Sequence, residues 1–157
     1  MKTILGADPG KNGAIAIVFG DRKHLVIDMP HFENSISAPR IMKFIKEFDV
    51  DAAYIEQAQA MPSQGVVGVF TYGVGFGKLI AAIEVAGIPV KFVRPAVWKK
   101  RFNLSRDKLE SVALAQQLFP EVEYETERGR LLDGRAEALL IAKYGLEMEE
   151  QYSDQQY

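Results

Sequence analysis

Apolar residues in this chain fall into short blocks that end abruptly in charge or in turn formers. Thr3-Ile4-Leu5-Gly6-Ala7 leads into Asp8 and is cut off by Pro9-Gly10, which predicts a short buried strand with a carboxylate at its mouth. Ala14-Ile15-Ala16-Ile17-Val18-Phe19 and Leu25-Val26-Ile27 are β-prone blocks separated by Gly20-Asp21-Arg22-Lys23. The chain is therefore expected to fold back twice, giving three consecutive antiparallel strands. On its own, Asp8 reads as an ordinary turn former. Pro30 to Pro39 predicts a loop carrying His31, Asn34 and Ser37, with Ser37-Ala38-Pro39 as an N-cap and a first-turn proline. Ile41, Phe44, Ile45 and Phe48 then recur at helical spacing, predicting an amphipathic helix that ends near Glu47. Val50 to Ile55 is the next strand, and it too runs straight into an acid, Glu56.

After the break at Met61-Pro62-Ser63, a mostly apolar segment from Gln64 to Ala86 predicts a long helix. Gly65, Gly68, Gly73, Gly75 and Gly77 interrupt it, each costing roughly 1 kcal/mol relative to alanine, so close packing is expected in return. Gly73 and Gly77 share one face, where a second helix or a backbone can approach. Gly73-Val74-Gly75 has no strand before it and lacks the third glycine of a dinucleotide-binding turn, which excludes that reading. Ile88 to Val93 is a further strand, reached by a helical crossover and so expected parallel to the strand of Tyr54. A basic stretch, Arg94 to Arg101, holds the single tryptophan, Trp98, expected to anchor the segment to the core. Ser105 is the expected cap of a helix through Leu118. Lys108 in its first turn opposes the helix dipole, so an anionic partner is expected to compensate it. Leu131 to Ala142 opens the last helix, with Asp133 and Glu137 one turn apart on one face. Residues 1–146 read as a single domain and residues 147–157 as an acidic, flexible tail.

Composition narrows the chemistry. A chain of 157 residues, 48% apolar, can bury a full core without covalent staples. With no cysteine and only His24 and His31, thiolate chemistry is excluded and imidazole metal cages are disfavoured, so carboxylates must do any metal work. No apolar run is expected to reach membrane-spanning length, and a soluble, cytoplasmic chain without a membrane partner is expected. The net charge of −2 gives no case for a polyanionic partner, but its distribution is uneven. Lys78, Lys91, Arg94, Lys99, Lys100, Arg101, Arg106 and Lys108 are opposed locally only by Glu84 and Asp107, whereas the C-terminal third is acidic. Such a run is compatible with nucleic acid and also with a merely solvated face.

The acids carry the functional argument. Asp8 and Glu56 end strands expected to be neighbours, and the last helix brings Asp133 and Glu137 to the same edge. Four converging carboxylates repel one another unless cations sit among them, which implies Mg²⁺ or Mn²⁺. Two such ions about 4 Å apart can activate a water and stabilise the departing oxygen of an in-line phosphodiester cleavage.

Ile4-Leu5-Gly6-Ala7-Asp8-Pro9-Gly10, Tyr54-Ile55-Glu56-Gln57 and Asp133-Gly134-Arg135-Ala136-Glu137-Ala138-Leu139-Leu140-Ile141-Ala142 together resemble the three acidic motifs of RuvC-type Holliday-junction resolvases, in the ribonuclease H-like superfamily. The resemblance implies an α/β fold: a mixed five-stranded sheet, three antiparallel then two parallel strands, with helices on both faces. It implies a homodimeric endonuclease that makes paired nicks across a four-way DNA junction in recombination, replication or packaging. Asp8, Glu56, Asp133 and Glu137 would be the metal-binding acids, holding two Mg²⁺ per site with Mn²⁺ as a substitute. Lys99, Lys100, Arg101 and Lys108 would contact DNA, with Lys99 or Lys100 and, as a catalytic residue beside the four acids, Lys108 near the scissile phosphate; the glycine-bearing helix of residues 64–86 would form the dimer interface.

Two features depart from the common bacterial pattern. The last two acids are four apart rather than three and the second is a glutamate, which resembles shorter, viral-type members; Asp133 also fits a helix N-cap. The family's aromatic wedge position corresponds to Gln59, which leaves Met61, Phe70 or Tyr72 for that role, residues whose apolar character assigns them to the core. The alternatives are a ribonuclease H-like nuclease acting on flaps, three-way branches or RNA-containing duplexes, and a non-catalytic binder of branched DNA. A phosphate-binding module of the actin-like kinase group, which Asp8-x-Gly10 also resembles, needs two duplicated domains where this chain has room for one.

Overall fold

The computed structural model describes residues 1–57 and 59–155. Three antiparallel strands, β1 (Thr3–Asp8), β2 (Ala14–Phe19) and β3 (His24–Asp28), form one half of a sheet. A two-stranded ribbon follows, β4 (His31–Phe32) and β5 (Ser35–Ile36), and then helix α1 (Ala38–Ile45). Strand β6 (Ala52–Glu56) pairs parallel to β1, α2 (Val66–Val85) crosses over, and β7 (Val90–Val93) pairs parallel to β6. Helices α3 (Pro95–Arg101), α4 (Lys108–Leu118) and α5 (Asp133–Asp154) complete the chain. The sheet order β3-β2-β1-β6-β7 is the mixed sheet expected, three antiparallel strands and then two parallel ones.

Alternation along β1 divides the core in two. Ile4 joins Ala14, Ala16, Tyr54, Leu139 and Ile141 in a cluster under α5, whereas Leu5 and Ala7 join Ile15, Ile41, Ile55, Leu79 and Ile83 under α1 and α2. Gly6 points toward α5, where a Cβ would lie 2.3 Å from both Ala138 O and Ala142 N. The last helix therefore rests on the backbone of the central strand with no side chain between them.

Several expectations are corrected. The loop from Pro30 to Pro39 contains the β4–β5 ribbon, whose two-residue strands are too short to show alternation. Asp107, not Ser105, caps α4: its carboxylate accepts from Leu109 N at 2.9 Å, while Ser105 Oγ accepts from Asp107 N one step earlier. Asp133 is the first residue of α5 and Leu132 occupies the N-cap position. Residues 147–154, expected as a tail, continue α5 as helix. Arg101 Nε donates to Glu147 at 2.8 Å, and Tyr54 Oη and Lys91 Nζ both donate to Glu149. The last two residues of the expected tail, 156 and 157, lie outside the described residues.

These pairings also revise the charge picture, because two of the basic residues, Lys91 and Arg101, are tied to the acidic end of α5. α2 also departs from the expectation that no apolar run reaches membrane-spanning length: it has 20 residues, an 18-residue stretch of it has a mean hydropathy of 1.7, and by length and composition alone that is enough to cross a membrane. One face of it, Gly75, Leu79, Ala82 and Ile83, packs into the core.

The α5 contact on β1 generates a direct expectation. Gly6→Ala lowers stability by about 2–3 kcal/mol, because the added methyl meets backbone atoms that cannot rotate away. Urea unfolding checks this by the loss in midpoint at unchanged slope.

Candidate active site

β1 and β6 lie side by side and in parallel, with Ala7 opposite Ile55, so the acids that follow, Asp8 and Glu56, leave the sheet at the same end. The chain turns away at once after Asp8. Gly10 adopts φ +121°, Gly13 N donates to Gly10 O at 3.1 Å, and a Cβ on Gly13 would collide with Asp8 O at 1.9 Å. That is the physical reason for the Pro-Gly punctuation seen in the sequence. Glu137 arrives from the second turn of α5, and Gly134 in the first turn lets that helix end close over Asn12 and Gly13.

Asp8, Glu56 and Glu137 each place a carboxylate oxygen within 4.8 Å of the other two. Asp133 is set apart from this trio: its Oδ2 accepts from Lys108 Nζ at 2.6 Å. Lys108 thus has the anionic partner that its place at a helix start demands, and the same contact raises its pKa. Lys99 reaches in from α3 to within 3.1 Å of Glu137 Oε1, yet that buried oxygen accepts no hydrogen bond. Trp98, fully buried, donates its indole N–H to Glu56 Oε2 at 2.8 Å. Lys100 is exposed, and Arg101 is engaged with Glu147. Of the expected DNA contacts, Lys99 and Lys108 therefore stand at the acids, and Lys100 and Arg101 do not.

Electrostatics at this corner are unfavourable to full ionisation. Burial pushes the Asp8 carboxyl well above the usual carboxylate range, and the negative charges of Glu137, Glu56 and Asp133 add to it; Lys108 opposes the shift. Glu56 is raised as well, chiefly by burial, against the opposing Trp98 hydrogen bond. Two ammonium groups face four carboxylates, so a negative excess remains when all are ionised. Hard, closely spaced carboxylate oxygens from three separate elements fit a divalent cation of the Mg²⁺ or Mn²⁺ class. Asp8, Glu56 and Glu137 are the residues that could hold it.

The sequence does not assign two neighbours of the cluster. The Trp98 bond to Glu56 joins residues far apart in the chain, and its only local signal is the adjacency of Trp98 to Lys99. Tyr72 is not in the core but 38% exposed, with its phenol pushed up to about 12 by burial and by the charges of Asp8 and Glu56. Met61 and Phe70, also expected in the core, are exposed too.

No family model and no curated protein matches the sequence. Solved structures do resemble it. "T. thermophilus RuvC in complex with Holliday junction substrate" aligns with a TM-score of 0.63 at 18% identity, covering 90% of this chain and 90% of that one. "Thermus thermophilus RuvC structure" aligns with a TM-score of 0.61 at 18% identity, covering 94% and 96%. Over nearly its whole length, the chain has the fold of RuvC.

Proposed function

We propose that the protein is a metal-dependent endonuclease that resolves four-way and related branched DNA junctions. The observation that carries this reading is the meeting of Asp8, Glu56 and Glu137, from two strands and a helix, within 4.8 Å of one another. Its setting, the fold of a protein solved with a Holliday junction, supports the choice of substrate. Divalent ions bound there, two per site in our reading, would activate a water and stabilise the leaving oxygen of a phosphodiester.

The chain's own residues supply the rest. Asp8 and Glu56, fixed at strand ends, hold their carboxylates at set positions, and the Trp98 indole keeps Glu56 from rotating away. Asp133 serves as a fourth acid, one turn before Glu137 and in contact with Lys108. Lys108, 64% exposed, is free on its outer side to hold the scissile phosphate. Lys99 offsets the buried charge of Glu137. Lys100 and Arg101 extend the basic surface along α3 toward DNA.

Paired nicking needs two such sites. The surface of α2 supports a homodimer: Val66, Val67, Phe70 and Val74 are exposed, and Gly73 and Gly77 have nothing within 4 Å of a built Cβ. This unpaired apolar helix suits a second copy of the chain better than water. Wild-type protein is expected to sediment at twice 17.5 kDa, and Gly73→Glu, which adds charge where the monomer has open space, at 17.5 kDa.

Cleavage of a mobile four-way junction with Mg²⁺, beside flaps, three-way branches and RNA-containing duplexes, tests the activity and its rivals together. Symmetric nicks in the junction are expected, and a loss of at least about 10³-fold in Asp8→Asn and Glu56→Gln. Equal cutting by those variants would refute the reading, and metal-indifferent binding without cutting would favour a passive junction binder.

The crowded acids also make a stability prediction. Because the native Asp8 holds its proton more tightly than the unfolded chain does, its burial weakens the metal-free fold as pH rises above the unfolded carboxylate value of about 3.9. In chelator, Asp8→Asn is therefore expected to melt about 2–4 °C above wild type at neutral pH, with the gap closing toward pH 4. Added Mn²⁺ should raise the wild-type melting temperature and leave that of the variant nearly unchanged.

A further inference from the structure

The first turn of α5 breaks two local rules. Leu132 at its N-cap position supplies no side-chain cap, and Arg135, the third residue of the helix, puts a cation at the positive end of the helix dipole. The side chain is nevertheless fully engaged. Its Nε and Nη2 donate to the two carboxylate oxygens of Asp28 at 2.7 and 2.9 Å, and its Nη1 donates to the Glu123 carbonyl at 2.9 Å. All three guanidinium nitrogens are thus bound, to the end of β3 and to the segment that precedes α5. A planar fork held at three nitrogens has little freedom to turn.

Asp28 stands in a defined relation to the acids. Strand register pairs Asp8 with Ala14 and Ala14 with Asp28, so the three lie in one row across β1, β2 and β3. Residues paired in this way share a face of the sheet, and Ala14 belongs to the core under α5. Asp8 and Asp28 therefore both stand on the face that α5 covers, two strand spacings or roughly 10 Å apart. At 3.6 residues per turn, Arg135 and Glu137 leave the helix about 200° apart around its axis. Holding Arg135 on one side fixes the direction in which Glu137 points on the other.

We propose that Arg135 is a positioning residue for the nuclease site: its clamp on Asp28 sets the rotation of the first turns of α5 and so aims Glu137 at Asp8 and Glu56. The inference rests on the nuclease reading and deepens it. Arg135 bonds to Asp28 and Glu123 and to none of the three acids, so it acts through the helix. An ion pair that only tied the fold together would add stability and nothing else. A clamp that aims a carboxylate also adds metal affinity and catalytic rate.

The test compares wild type with Arg135→Ala, Asp28→Ala, the double variant, and Ile83→Val, which thins the core on the other face of the sheet and leaves the clamp intact. Mn²⁺ affinity is read from the paramagnetic resonance signal of the free ion, and cleavage of a four-way junction gives kcat and KM separately. Arg135→Ala is expected to bind Mn²⁺ about tenfold more weakly and to lose kcat by about 10–100-fold, with KM within about twofold of wild type. Asp28→Ala, which breaks the pair from the strand side, should follow in both readings, and the double variant should be no worse than Arg135→Ala, because one clamp is removed either way. Ile83→Val should melt lower with Mn²⁺ affinity and kcat unchanged. An Arg135→Ala protein that behaves like Ile83→Val, melting lower yet matching wild type in Mn²⁺ affinity and kcat, would reduce the pair to a structural tie and overturn the proposal, as would losses that add in the double variant. Should Arg135→Ala fail to fold, Asp28→Ala, at a position 56% exposed, decides by the same two readings. A failure confined to the clamp variants leaves the nuclease standing; a wild type that neither binds Mn²⁺ nor cuts branched DNA fells both readings.

Discussion

Backbone contact between α5 and β1 at Gly6 sets the height of the last helix above the sheet, and through it the position of Glu137. Ala138 and Ala142, the residues that meet Gly6, are small, so the helix can settle without a side-chain layer beneath it. Gly134, over the backbone of Asn12 and Gly13, repeats the arrangement at the N-terminal end of the helix, while Gly145 makes room for the side chains of Tyr54 and Ile4. A helix seated by interlocked side chains could shift by a rotamer; one seated on backbone has far less freedom. The carboxylate it carries is thereby fixed against two others that the parallel pairing of β1 and β6 has already brought together.

That geometry works against folding. Burial and mutual repulsion raise the affinity of Asp8 and Glu56 for protons, so the corner is costly in the ionised state that metal binding requires. The surrounding structure offsets part of this with Lys99, Lys108 and the Trp98 hydrogen bond, and leaves a remainder. Such a remainder is ordinary at functional sites, where groups are placed for chemistry rather than for stability.

Much of this corner is legible in the amino-acid sequence. The positions of Asp8 and Glu56 follow from apolar blocks that stop at an acid, a local signal, and Glu137 follows from helical periodicity. What stays hidden depends on partners distant in the chain. Asp133 lies outside the trio and meets Lys108 of another helix, and nothing in its spacing from Glu137 says so. Phe70 and Tyr72 look like core residues because they are large and apolar, yet periodicity cannot say which face of α2 finds a partner. The acidic C-terminal stretch reads as solvated tail until Arg101, Lys91 and Tyr54 are found to hold it as helix. The apparent charge polarity of the sequence is reduced for the same reason, since Lys91 and Arg101 fold onto that acidic stretch.

The order of elements along the chain has a further consequence. The helix that closes the acid cluster follows every strand of the sheet, so a ribosome emits β1, β2 and β6 well before α5 can cover them. During that interval the surface of Ile4, Ala14, Ala16 and Tyr54 lies bare, a natural target for chaperones that bind apolar chain. Only with the emergence of residues 133–142 does burial become complete, and the same event delivers Glu137. The stretch of chain that completes the core thus also completes the acid cluster.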